Sequence, residues 1–319
     1  MDISFALFSF KYYFGITLLL SSANLKRMLF YELHAGPTIR YLWKISTDSP
    51  MVTGVAILQD SLYIVHRGQK QIVVYQATSP CRFLGKITLE GLQDPRDVAA
   101  CPKNSCLYIS DAGHGCVWKV EVGTVLANKD RKISCWVAKV GEPYTLSVIS
   151  GGRVLMAQRP NTLRIYRADG TTFRAFQIKG DIGEPQHAVR TSKGTFIVSH
   201  GDKYDKKHRV CEVSAKGEII RSFGNRRGEC EQTEMRLIRL NHPRHLAIDR
   251  SGRVLVVDRK NERIIRLDRK LCLIDVLRCP GDTDGPIRLF CEARRFLIGR
   301  GDAIYVHSIN YEDSQSPQT

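Results

Sequence analysis

One paragraph of sequence recurs along most of this chain and limits what the chain can become. Its clearest copy lies between Leu240 and Asp268. There the apolar run His245-Leu-Ala-Ile follows Pro243, a turn at Arg250-Ser-Gly leads into Val254-Leu-Val-Val, and Asp258 to Asn261 lead into Ile264-Ile-Arg-Leu. Short β-branched runs separated by turn residues predict consecutive antiparallel strands joined by tight hairpins. The same order follows each of the anchor prolines Pro50, Pro95, Pro143, Pro185, Pro243 and Pro286, which recur at intervals of 42 to 58 residues. A period near that length with about four strands per unit predicts propeller blades. The fold class is therefore all-β, a six-bladed β-propeller over residues 40–311.

Closure follows from the ends of the pattern. Tyr41-Leu-Trp-Lys-Ile45 is a lone strand signal ahead of the first unit, and the last unit shows only three strands before a polar tail at 312–319. An unpaired strand edge is a liability, so the N-terminal strand is expected to complete the last blade. Residues 1–39 do not share the repeat. Phe5 to Ser22 is apolar, interrupted by Lys11, and short for a membrane span; Asp2 precedes it, where a signal peptide would start with basic residues. A helix packed on the domain and a membrane anchor are both readings of it, and the propeller is expected in the cytoplasm.

The unit resembles an NHL repeat. Asp258-Arg-Lys-Asn-Glu-Arg-Ile264 matches that family's D-x-x-N-H-R-I core with Glu262 in place of the usual His, and Gly194-Thr-Phe-Ile-Val-Ser-His200 is similar to a group of invertebrate NHL proteins. The resemblance covers about Arg40 to Asn310. It implies a closed six-bladed ring and, through the propellers of tripartite-motif NHL proteins, binding of protein partners or of single-stranded RNA. The RING and B-box cysteine and histidine patterns of those proteins are absent from this sequence.

Charge and cysteine bear on partners. The net charge of +16 favours acidic partners, nucleic acid or anionic surfaces. The ten cysteines contain no C-x-x-C, so no zinc-finger spacing is present. Cys101 and Cys106 flank a hairpin turn and are read as free thiols in a reducing compartment.

Strand alternation sorts the candidate site residues. Residues just after each proline share a face with the hairpins that end the second strands. One column there is Arg96 and Asp97, Tyr144 and Thr145, Gln186 and His187, Arg244 and His245, and Arg288. The other is His66, Asp111, Gln158, His200, Asp258 and Arg300. The loop carrying Lys206, Lys207 and Arg209 joins them. The expected binding face is Arg96, Tyr144, His187, His200, Lys206, Lys207, Arg209, Arg244, His245, Arg288 and Arg300.

Catalysis is not expected. Amidating lyases similar to NHL propellers bind zinc through histidines placed directly after the proline. Here His187 and His245 stand one residue later, which on a regular strand turns a side chain to the other side. Thr145 and Arg288 stand where a third ligand would be needed. Asp97 alone does not supply a calcium shell, and neither G-x-S-x-G nor a phosphate-cradling glycine loop occurs. The sequence thus reads as a monomeric, non-catalytic binding module without metal or cofactor. Its partner is expected to be a protein, with a link to ubiquitin-ligase-type complexes; the alternative is single-stranded RNA bound on the basic face.

Overall fold

A computed structural model describes residues 39–47, 51–78, 81–122, 133–141, 145–201, 207–224, 239–278, 288–292 and 295–309. These residues form six four-stranded antiparallel sheets. The first holds β2 (Val52–Leu58), β3 (Ser61–His66), β4 (Gln71–Gln76) and β5 (Phe83–Thr88). The second holds β6 (Pro95–Cys101), β7 (Cys106–Asp111), β8 (Cys116–Glu121) and β9 (Ile133–Val137), and the third β10 (Leu146–Ile149), β11 (Arg153–Gln158), β12 (Thr162–Tyr166) and β13 (Thr172–Gln177). The fourth holds β14 (Pro185–Arg190), β15 (Phe196–His200), β16 (Arg209–Val213) and β17 (Ile219–Gly224), and the fifth β18 (Pro243–Ile248), β19 (Val254–Asp258), β20 (Arg263–Leu267) and β21 (Leu273–Arg278).

The sixth sheet is made from both ends of this unit. Its order is β1 (Ile39–Ser46), β24 (Ala303–Ile309), β23 (Arg295–Arg300) and β22 (Arg288–Glu292), so the N-terminal strand completes the last blade as expected. Thr47 fastens the seam by donating from its amide and its hydroxyl to the Asp302 carbonyl, at 2.8 and 2.6 Å. Val52 N–H donates to Gly301 O at 2.6 Å, which ties the first blade to the last.

The first strands of the blades, β2, β6, β10, β14, β18 and β22, contact one another in succession and close a ring around an axis. The middle strands read as continuous apolar runs because neighbouring blades cover both of their faces. β19 is buried at every residue, Val254 to Asp258. Hydrophobic clusters fill the gaps between blades. Val65, Ile72 and Leu89 of the first blade pack with Val98, Leu107 and Ile109 of the second, and Leu155, Leu163 and Ile165 of the third pack with Phe196, Val198 and Cys211 of the fourth. The outer strands are solvated, and β13 is the barest of them, with only Phe176 partly buried.

No helix among the described residues is long and apolar enough to cross a membrane. The apolar stretch from Phe5 to Ser22 lies outside the described residues, as does the tail at 312–319. Cys101 and Cys106 are direct cross-strand partners with free, fully buried thiols.

Candidate functional site

Three first strands, β6, β14 and β18, begin at their proline, and these and β2 bulge near the start. In β2, β6 and β14 the ladder slips between Val52 and Gly54, between Pro95 and Asp97, and between Pro185 and His187. In β18 it slips between Pro243 and Leu246. A bulge places one extra residue on the strand and resets which side the next side chain takes. The expectation that a one-residue displacement turns His187 and His245 away is therefore corrected: the bulge absorbs the extra residue. The two imidazoles instead stack near the axis, with centroids 3.9 Å apart and planes 16° from parallel.

The residues at or just past these bulges, together with Thr145 just ahead of β10 and Arg288 at the start of β22, form a layer around the axis. It holds Gly54, Asp97, Thr145, His187, His245 and Arg288 in blade order, and Asp97, Thr145, His187, His245 and Arg288 are all buried. Gly54 is small for a stated reason. A Cβ there would lie 2.6 Å from the Val98 nitrogen and 2.6 Å from Val65 Cγ2.

Asp97 binds the layer together. Its Oδ1 accepts from Val98 N–H at 3.0 Å and lies 3.3 Å from Arg288 Nε. Its Oδ2 accepts from Leu146 N–H at 2.9 Å and lies 3.6 Å from His245 Nε2. One carboxylate thus touches the third, fifth and sixth blades. Arg288 also donates to the Arg96 carbonyl. His187 accepts from Leu246 N–H through Nδ1 at 3.0 Å, which leaves the ring proton on Nε2, 2.8 Å from Ser147 Oγ and 3.4 Å from Leu146 O. Burial, then the charges of His245 and Arg288, hold His187 well below the usual imidazole range. Burial also lowers His245, with Asp97 opposing.

Asp97, His187 and His245 are the residues among those described that could hold a metal, with donor atoms within 4.8 Å of one another. No such set was expected from the sequence, because on a regular strand the two histidines would turn away from the axis. Two histidines and a carboxylate are a competent donor set for a divalent cation. The lone pairs of His187 Nδ1 and of Asp97 are committed, whereas buried His245 Nδ1 has no hydrogen-bond partner among the described residues. A metal on His187 Nδ1 would strip the Leu246 amide of its acceptor, and a metal on Asp97 would compete with the Arg288 guanidinium and the Leu146 amide. The arrangement as it stands does one thing well, which is to lock five blades about the axis.

The second column is bracing as well. Asp111, fully buried, accepts from the amides of Gln93, Asp94 and Gly113 at 3.1, 2.8 and 3.2 Å, and from Trp118 Nε1 at 3.1 Å. Burial raises its carboxyl, but these bonds outweigh it and the net shift is downward. Asp258 accepts from Asn241 N–H, Asn261 and Arg263 at 2.7 Å each, yet there burial prevails and the net shift is upward. His66 pairs with Thr47 at 2.9 Å across the closing seam, and Gln158 donates to Val140 O at 3.1 Å. Buried His200 has its Nε2 3.3 Å from Cys211 Sγ.

The cations of the expected binding face are spoken for in the same way. Arg96 pairs with Asp94 at 2.6 Å, Lys207 and Arg209 both engage Asp181, Arg244 donates to Gln186 Oε1 at 3.0 Å, and buried Arg300 lies 3.9 Å from Glu262. Tyr144 and Lys206 lie outside the described residues. The picture of an open basic mouth on this face is thus corrected for these residues: Arg96 has its partner two residues away, and the partners of Lys207, Arg209, Arg244 and Arg300 are distant in sequence but adjacent in the ring.

The cavity lies on the other side of the layer. A space of about 760 Å³ runs along the axis, with His187 and His245 among its lining and Val98, Val148, Val189, Ile248 and Phe290 along its walls. Ser150, Ser192 and Lys193 also line it. These three are exposed and belong to the turns after the first strands of the third and fourth blades, so the cavity reaches the surface on the face opposite the prolines.

The class defined by these features is the six-bladed β-propeller. Solved structures agree on the fold. The WD40 propeller domain of Doa1 is similar at 11% identity over 86% of this chain and 98% of that one, with a TM-score of 0.57. A catalytically inactive virginiamycin B lyase from Staphylococcus aureus, solved with quinupristin, is similar at 11% identity over 85% and 99%, TM-score 0.57. Hydrazine synthase from Kuenenia stuttgartiensis is similar at 13% identity over 82% and 96%, TM-score 0.56. No protein-family model matches the sequence, and no curated protein matches it.

Proposed function

We propose that this chain is a non-catalytic propeller of divergent NHL type that binds other proteins. One observation carries the reading. The axial groups equipped for chemistry, Asp97, His187 and Arg288, already bond to neighbouring blades, so they act as structure rather than as a poised site. The NHL resemblance extends the proposal to recruitment within ubiquitin-ligase-type complexes. The free thiols at Cys101 and Cys106 support a reducing, cytoplasmic setting.

Two measurements on the full chain test it. Titration calorimetry with zinc should show no site that depends on His187 and His245. Cross-linking in cells, followed by reconstitution with each purified candidate, should yield a stoichiometric protein complex. Zinc binding that is lost in His187→Ala and His245→Ala would overturn the non-catalytic reading in favour of a metal centre.

A further inference from the structure

The cations on the proline face are held by carboxylates and carbonyls, but those on the opposite face of the third and fourth blades are arranged otherwise. Phe173 is the second residue of the bare outer strand β13 and is 41% exposed. The Arg153 guanidinium lies 3.9 Å from its ring centroid and that of Arg167 lies 5.1 Å away. Arg174 donates to Ala215 O in the fourth blade at 2.6 Å, and Arg190 donates to Ser150 Oγ in the third at 2.8 Å. These two bonds make the adjoining turns one surface. Lys193 continues it to the cavity mouth.

Among the described residues no carboxylate stands within ion-pair distance of any of these five cations. The acids on this face are engaged elsewhere. Asp169 accepts from Thr171 at 2.9 and 2.7 Å and only draws on Arg167 at longer range, and Glu218 lies 3.6 Å from Lys179. A guanidinium laid over an aromatic ring is oriented in advance. Arg167 gives Nη1 to Thr171 Oγ1 and the Thr172 carbonyl at 3.3 and 3.0 Å, which leaves its remaining N–H groups and the fork of Arg153 for a planar anion. A carboxylate fits that fork with two parallel hydrogen bonds. The exposed edge of β13 beside it suits an extended chain whose alternate side chains reach the surface.

We propose that this face is a docking surface for an acidic, extended peptide segment of a partner protein. Its carboxylates meet Arg153, Arg167 and Arg190, and an apolar side chain packs on Phe173. The inference rests on the protein-binding reading above and supplies the chemistry of the partner.

Fluorescence anisotropy with the full chain tests it. The probes are a labelled twelve-residue peptide of alternating glutamate and leucine, its glutamine–leucine counterpart, and a twelve-nucleotide oligouridylate. The glutamate peptide should bind at least about tenfold more tightly than the glutamine peptide, since each charge-assisted pair is stronger than its neutral equivalent. Arg153→Glu/Arg167→Glu and, independently, Arg190→Glu/Lys193→Glu should each weaken it about tenfold or more, with melting temperatures unchanged. Arg67→Glu, a charge reversal at an exposed arginine of the proline face, should leave it within about twofold. Equal binding by wild type and both double variants would overturn this face while leaving protein binding intact. Equal binding of the two peptides, or none of the glutamate peptide, would overturn the acidic partner. Tighter binding of the oligouridylate, lost in the same variants, would overturn the protein-binding reading itself.

Discussion

Asp97→Asn should be among the most damaging isosteric changes in this protein. The substitution keeps the shape and removes the charge. Asp97 and Arg288 are 2% and 5% exposed, so the arginine cannot turn to bulk water for compensation. At their 3.3 Å separation a pair of unit charges attracts by about 5 kcal/mol at an effective dielectric near 20. An asparagine must also turn its NH2 toward either the Val98 and Arg288 donors or the Leu146 amide, which strands one of them. Removing one partner of a buried pair costs about 3–5 kcal/mol, most of it the stranded charge. For a domain of this size that lowers the melting temperature by about 10 °C. Arg288→Met in the same chain removes the stranded charge, so the double variant should recover at least about 2 kcal/mol of coupling. Urea unfolding of the four proteins in the cycle measures it. A loss below about 1 kcal/mol for Asp97→Asn, or strictly additive singles, would refute the claim that this carboxylate holds the axis.

Acid should unfold the propeller through its buried histidines. Burial depresses His66 to about 4, His200 to about 3 and His307 to about 4, so each is neutral when folded. The unfolded chain takes up their protons first; stability is therefore full above about pH 6.5 and falls as pH drops toward 4, by up to about 2 kcal/mol per histidine at pH 5. Urea midpoints that do not change between pH 7 and 5 would contradict this. Gly217→Ala should cost more than about 1 kcal/mol, because φ there is +83° and the new Cβ would sit 2.1 Å from the Gln177 carbonyl oxygen; thermal melting reads it. In a thiol-labelling time course, exposed Cys135 and Cys272 should react at once, and Cys101 and Cys106 only as the protein unfolds. Rapid modification of Cys106 in the native protein would show that the hairpin of the second blade opens.

Strand positions were legible because hairpins are local. His66, Asp111, Gln158, His200, Asp258 and Arg300, picked out as the ends of the second strands, end β3, β7, β11, β15, β19 and β23. Closure by the N-terminal strand was legible from a strand missing at one end and spare at the other. The bulges after Pro95, Pro185 and Pro243 were not, since one extra residue leaves no mark on an alternation already broken by proline. That single feature decides whether His187 and His245 meet. The fate of the basic residues was hidden for a different reason. Arg288 bonds to Arg96, far away in sequence, and Arg209 to Asp181; charge counts do not show which cations already have partners. Conversely, Arg153, Arg167 and Phe173 look like ordinary strand-end residues until folding lays the guanidiniums on the ring.

The seam in the sixth blade also sets how the molecule answers to force. Thr47 meets Asp302, Lys44 sits over Tyr305, and Tyr41 packs on His307, so β1 and β24 run in opposite directions with the start of one beside the end of the other. A pull applied at those two strand ends would load the ladder one rung at a time, like a zipper, rather than shearing all its rungs together. The ring would then part at low tension along β1, while the other five blades, each closed within a single stretch of chain, would stay intact until the slack was drawn out.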